Sequence, residues 1–140
     1  MSQLLHEKII YFKGSILGFE EYDEFSISLI EENSAYAYLQ SLQDESIAFL
    51  VIAPFVFFPD YSFEIDEKDK QWLDLTIEED LLVFNTVTIK EPFTESTVNL
   101  LAPLVINIAN GKARQIVLPP KSNYGTAVLL INQASEESGE

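Results

Sequence analysis

The sequence predicts a mainly β fold: a compact, antiparallel, β-barrel-like single domain with one or two short helices. Three observations support this. Val, Ile, Phe, Tyr and Thr gather in short runs that favour strands, while few windows have helical periodicity. These runs recur at roughly even spacing between turn residues. The connections between them are too short for parallel crossovers. At 140 residues the chain has the size of one domain and can bury about two-thirds of the surface its unfolded form would expose. Residues 1–131 are expected to form that domain. The closing "NQASEESGE", residues 132–140, reads as a disordered acidic tail.

Each element has its own local reason. Lys8 to Phe12 opens as a short strand, and "GSILGFEEYDEF" follows with two glycines flanking a small apolar knot, as a turn requires. Phe25 to Ile30 sets Phe25, Ile27 and Leu29 against Ser26 and Ser28, the alternation of a half-buried strand. Ala35 to Gln40 is the next strand. Ile47 to Ala53 is continuously apolar, which implies burial on both faces and a place at the centre of the sheet. Asp66 can cap a helix around Glu67 to Leu75, with Trp72, Leu73 and Leu75 as its apolar stripe. Thr76 and Glu79 have capping-box spacing for a second helical turn. Leu81 to Ile89 is the longest strand candidate, and Thr97 to Leu101 is another. Leu104 to Ile108 pairs with Ala113 to Leu118 across Asn110-Gly111, residues that tolerate positive φ. Thr126 to Ile131 is a last, weaker strand candidate.

The stretch "APFVFFPDYSFEI", residues 53–65, places five aromatic residues in thirteen positions. Its second half alternates, so Tyr61, Phe63 and Ile65 should face the core while Asp60, Ser62 and Glu64 face outward. Its first half, "PFVFFP", has a proline at each end and no alternation. Proline lacks the donor that a ladder needs, so this piece is expected to be a bulge, an edge or a loop. Two outcomes are open for Phe55, Phe57 and Phe58: all three are core, or some form an exposed patch that anchors a partner. In the second case the partner-binding residues are Phe55, Phe57, Phe58 and Tyr61, the acids Glu64 and Asp66, and a second wall from Val98, Asn99 and Leu100.

Charge narrows the partners. With 23 acidic and 8 basic residues the net charge is −15, which disfavours direct binding of nucleic acid or of an anionic membrane surface. A field of this sign attracts basic proteins, although acidity also serves solubility alone. There is no cysteine, hence no disulfide framework and no thiol chemistry, as fits a cytoplasmic protein. The longest near-apolar run, Ile47 to Pro59, is too short to cross a bilayer. The single histidine, His6, reads as a solvated side chain. Neither a G-x-S-x-G elbow nor a phosphate-cradling glycine loop is present. Between Asp60 and Asp80 there are nine carboxylates and two lysines without calcium-loop spacing, so a solvated face is favoured over a metal site. No cofactor is implied. The alternative to an interaction protein is a small carboxylate-dependent hydrolase, which a buried acid pair with one raised pKa in a cleft would support.

Two blocks, "LQSLQDESIAFLVIAPFVFFPDYSFEI" and "STVNLLAPLVINIANGKARQIVL", resemble the flagellar assembly factor FliW family, and the similarity runs from about Ile10 to Tyr124. The resemblance implies a small cytoplasmic β-barrel-like protein that is not an enzyme. Such a protein binds flagellin and, in alternation, the RNA-binding translational repressor CsrA. Secretion of flagellin frees it to sequester CsrA and relieve repression of flagellin translation. It would be a monomer when free, without direct contact to nucleic acid or membrane. A strongly acidic chain suits a basic RNA-binding partner, because its field attracts that partner and repels the RNA.

Overall fold

The computed structural model describes residues 8–30 and 35–131. The expectations for His6 and for the 132–140 tail lie outside the described residues. Among the described residues, nine strands and two short α-helices follow one another: β1 Ile9–Tyr11, β2 Glu24–Leu29, β3 Tyr36–Ser41, β4 Ala48–Ile52, α1 Pro54–Phe57, α2 Glu67–Leu73, β5 Leu81–Thr88, β6 Thr97–Val98, β7 Leu104–Asn107, β8 Ala113–Gln115 and β9 Val128–Leu129. All strand pairs are antiparallel, in the order β1-β2-β3-β4-β5-β6-β9, with β7 joined to β5 and β8 to β7. The mainly β, antiparallel single domain is as predicted, and β4 lies at the middle of the order.

The sheet bends around β5. The last residues of β5 pair with β4 and β6, as Leu50↔Val87 and Val87↔Val98, while its first four pair with β7, from Leu81↔Asn107 to Phe84↔Leu104. The edges of β1 and the β7–β8 hairpin then meet at an isolated parallel bridge between Tyr11 and Lys112, in which the Tyr11 N–H donates to the Gly111 carbonyl at 2.8 Å. No ladder continues from it, so the barrel is not closed by strand pairing. Side chains seal the seam instead: Gln115 Oε1 accepts from the Leu17 N–H, and Ser15 Oγ accepts from the Gln115 N–H.

The described residues form two apolar clusters. The first gathers Ile10, Phe12, Phe25, Ile27, Leu39, Val51, Phe84, Leu104 and Ile106; the second gathers Ile52, Tyr61, Val98, Leu100, Leu118 and Leu130. Adjacent residues of β4, Val51 and Ile52, belong to different clusters, so this strand is buried on both faces, as its unbroken apolar run predicted.

Several local expectations are corrected. "PFVF" is not a bulge or loop but one helical turn: Pro54 sits at the start, where its missing N–H costs nothing, and the Phe58 N–H donates to the Pro54 carbonyl at 2.8 Å. Tyr61 to Ile65 forms no ladder, yet exposure alternates as predicted, with Tyr61 buried, Phe63 and Ile65 half-buried, and Ser62 and Glu64 exposed. Thr97 to Leu101 is a strand only over Thr97–Val98, because Asn99 Oδ1 accepts the Leu101 and Ala102 N–H groups and turns the chain. The 3₁₀ turn at Glu78–Asp80 starts after Ile77 without a side-chain cap, so Thr76 does not cap it. In the β7–β8 turn only Gly111 takes positive φ, at 80°.

Helix α2 is held at both ends. Asp66 Oδ1 accepts the Asp69 N–H at 2.9 Å, the N-cap foreseen from sequence. At the other end, Asn107 Nδ2 and Asn110 Nδ2 both donate to the Leu73 carbonyl, satisfying an oxygen that the helix terminus leaves open. Arg114 lies over the Trp72 ring, 5.0 Å from its centroid, and pairs with Asp69 at 3.4 Å. The hairpin and the helix are therefore tied together through these contacts.

Candidate partner-binding groove

The aromatic block builds one wall of a surface groove. Tyr61 is its hub: the ring meets Phe55 at 5.9 Å, Phe63 at 5.4 Å and Tyr124 at 4.7 Å between centroids. Its hydroxyl donates to the Leu100 carbonyl at 2.6 Å and accepts from Asn85 Nδ2 at 3.3 Å. Burial pushes the phenol up to about 12, against a smaller opposing effect of the Asn85 hydrogen bond. The Tyr124 hydroxyl accepts the Ser62 N–H and donates to the Ser62 carbonyl, both at 3.1 Å. Without a ladder, these hydrogen bonds fix the path of the extended segment.

Across from this wall lies the start of β5. A depression of about 280 Å³ opens among Phe55, Tyr61, Phe63, Ile65, Leu81 and Val83. A larger one, about 580 Å³, shares Phe63, Ile65 and Leu81 and continues to Leu75, Lys70 and Glu78. The two adjoin through these shared residues: the end beside Phe55 is mainly apolar, and the other end is mixed, with Glu64, Glu78, Thr76 and the half-buried Lys70 among its lining.

The predicted partner-binding residues divide. Phe55 is 48% exposed and its neighbour Val56 66%, so part of the exposed patch exists. Phe57 and Phe58 are half-buried and pack against the second cluster. Glu64 is exposed at the groove and Asp66 is exposed as the helix cap. Val98 and Leu100 are buried, at 0% and 4%, which corrects the expectation that their side chains form a second wall. The turn at Asn99 directs both into the core. Asn99 itself is occupied within the chain, its side chain accepting two N–H groups and its carbonyl accepting from Asn85 at 2.8 Å. The second wall comes instead from Leu81, Val83 and Leu75. Sequence reasoning missed these three because Leu81 and Val83 read only as part of a strand and Leu75 as helix stripe.

Asp66 and Asp69 form an interacting pair of acids. Burial and then the Asp66 carboxylate raise the Asp69 pKa, while Arg114 pulls it down. Neither residue lines the groove. Both carboxylates have structural work, Asp66 as the cap of α2 and Asp69 as the partner of Arg114. Among the described residues no helix is long and apolar enough to cross a membrane.

Fold and groove together define a small β domain with a surface groove apolar at one end and mixed at the other, a class in which neither the ligand nor the biology is written in the fold. The FliW protein family profile matches residues 2–130, and the chain belongs to the FliW family. The flagellar assembly factor FliW of Bacillus subtilis is 42% identical over 116 residues, covering 83% of this chain and 81% of that one. The Caldanaerobacter subterraneus subsp. tengcongensis protein of the same name is 46% identical over 113 residues, covering 80% and 75%. A crystal structure of the flagellar assembly factor FliW superposes with a TM-score of 0.83 at 31% identity, covering 89% of this chain and 86% of that one. The chain is thus a flagellar assembly factor by family.

Proposed function

We propose that this protein works in the cytoplasm as a non-enzymatic assembly factor that binds flagellin and, in alternation, the RNA-binding repressor CsrA. When flagellin is secreted, the freed protein sequesters CsrA and so relieves repression of flagellin translation. The observation that best supports this reading is the groove beside Phe55, mainly apolar at that end and with Glu64 and Glu78 at the other, in a chain of net charge −15. Apolar surface anchors partner side chains, and an excess of acids favours a basic partner over the RNA that partner would hold.

A competition pull-down tests the proposal. Immobilised protein should retain CsrA, and added flagellin should release it. Raising salt past the range in which surface charges are screened, a Debye length of about 8 Å at physiological strength, should weaken the CsrA complex more than the flagellin complex. Failure to retain either partner would refute the assignment.

A further inference from the structure

We propose that the open edge of β5 accepts an extended segment of a partner protein as an added strand. The inference rests on the groove being a protein-binding site and specifies how the partner is held. β4 ends at Ile52, which pairs with Asn85, and the chain then turns away into α1. Beyond that point no described strand pairs with the β4-side edge of β5, although the α1 turn packs beside it. The ladder phase identifies which groups are left there. Because the Ile108 N–H donates to the Asp80 carbonyl, residues of even number in β5 bond toward β7, so Leu82 and Phe84 are used and Leu81 and Val83 point the other way. The Leu81 N–H already donates to Glu78. Among the described residues, what remains is the Leu81 carbonyl with the N–H and carbonyl of Val83, and these two residues also line the groove.

An extended backbone can satisfy all three groups, since strands added to a sheet edge gain their affinity from main-chain hydrogen bonds and their specificity from every second side chain. Phe55, Phe63 and Ile65 stand where alternate apolar side chains of that strand would pack. The margin selects its charge. Glu64 and Glu78 flank the groove, and Glu67 stands beside Lys70, the one base among the described lining residues. The occupant is therefore a segment in which apolar residues alternate with lysine or arginine.

The test uses the full chain, isotope-labelled, and a synthetic heptapeptide of alternating lysine and valine with blocked ends. In the free protein the Val83 amide should exchange with solvent faster than those of Leu82 and Phe84. Saturating heptapeptide should slow Val83 exchange at least about tenfold. A block isomer of the same composition, its valines contiguous, should bind at least about tenfold more weakly. Equal binding of the two isomers, binding without protection of Val83, or no binding of the heptapeptide would each overturn the strand site. Flagellin and CsrA applied separately decide the partners, so a failure of that assignment is distinct from a failure of the edge.

Discussion

The Tyr61 hydroxyl donates to the Leu100 carbonyl at 2.6 Å, joining two sequence blocks 39 positions apart. This bond fixes the extended 61–65 segment over the turn that follows β6, and with it the wall of the groove. Replacing Tyr61 with Phe keeps the ring contacts and removes the hydroxyl, leaving the Leu100 carbonyl without this donor. A loss of about 1–3 kcal/mol is expected in urea unfolding. Unchanged stability would show that the bond does not order the segment.

The same residue sets an alkaline limit. Burial raises the Tyr61 phenol to about 12 in the folded chain, above the unfolded value of about 10. The folded state therefore holds this proton where the unfolded state has lost it. Its contribution is complete below about pH 10 and disappears as pH rises toward about 12. Between these values wild-type stability should fall more steeply than that of Tyr61→Phe. Parallel curves for the two proteins would contradict the assignment.

Gly111 is required twice over. Its φ is 80°, and a Cβ there would lie 2.8 Å from the Ile9 carbonyl oxygen and 3.2 Å from the Tyr11 ring. Gly111→Ala should therefore open the seam between β1 and the β7–β8 hairpin, at a cost of about 2 kcal/mol or more. The Tyr11 amide, bonded to the Gly111 carbonyl, should lose hydrogen-exchange protection before the central strands do. Retained protection at Tyr11 would count against this.

The phenylalanines of the aromatic block should separate by stability. Phe58 packs against the second cluster, and Phe58→Ala should cost about 2–4 kcal/mol. Phe55 is half-exposed, and Phe55→Ala should stay within about 1 kcal/mol of wild type. Chemical denaturation of both variants measures the difference. Equal losses would remove the distinction between core and patch.

Much of the sheet was legible because its signals are local. Phe25 and Ile27 alternate with serines and are buried in β2, and Asp66 caps α2 as its position suggested. The misreadings arise where one residue type has two uses. Pro54 breaks a ladder but also starts a helix, and the first use was assumed. The alternation from Tyr61 to Ile65 reports which side is covered, and it is satisfied here by an extended segment with no strand partner. The burial of Val98 and Leu100 depends on the turn that Asn99 makes, and the groove's second wall depends on how far β4 runs along β5. Both are long-range relations that no window of sequence contains.

In the proposed function, the groove beside Phe55 holds the partners. Calorimetric titration of flagellin into wild type and into Phe55→Ala, repeated with CsrA, tests it most directly. Wild type should bind each partner, and each partner, once bound, should exclude the other. Phe55→Ala, with its fold intact, should weaken flagellin binding at least about tenfold, equivalent to about 1.4 kcal/mol. Binding of both partners by Phe55→Ala with wild-type affinity would contradict the account.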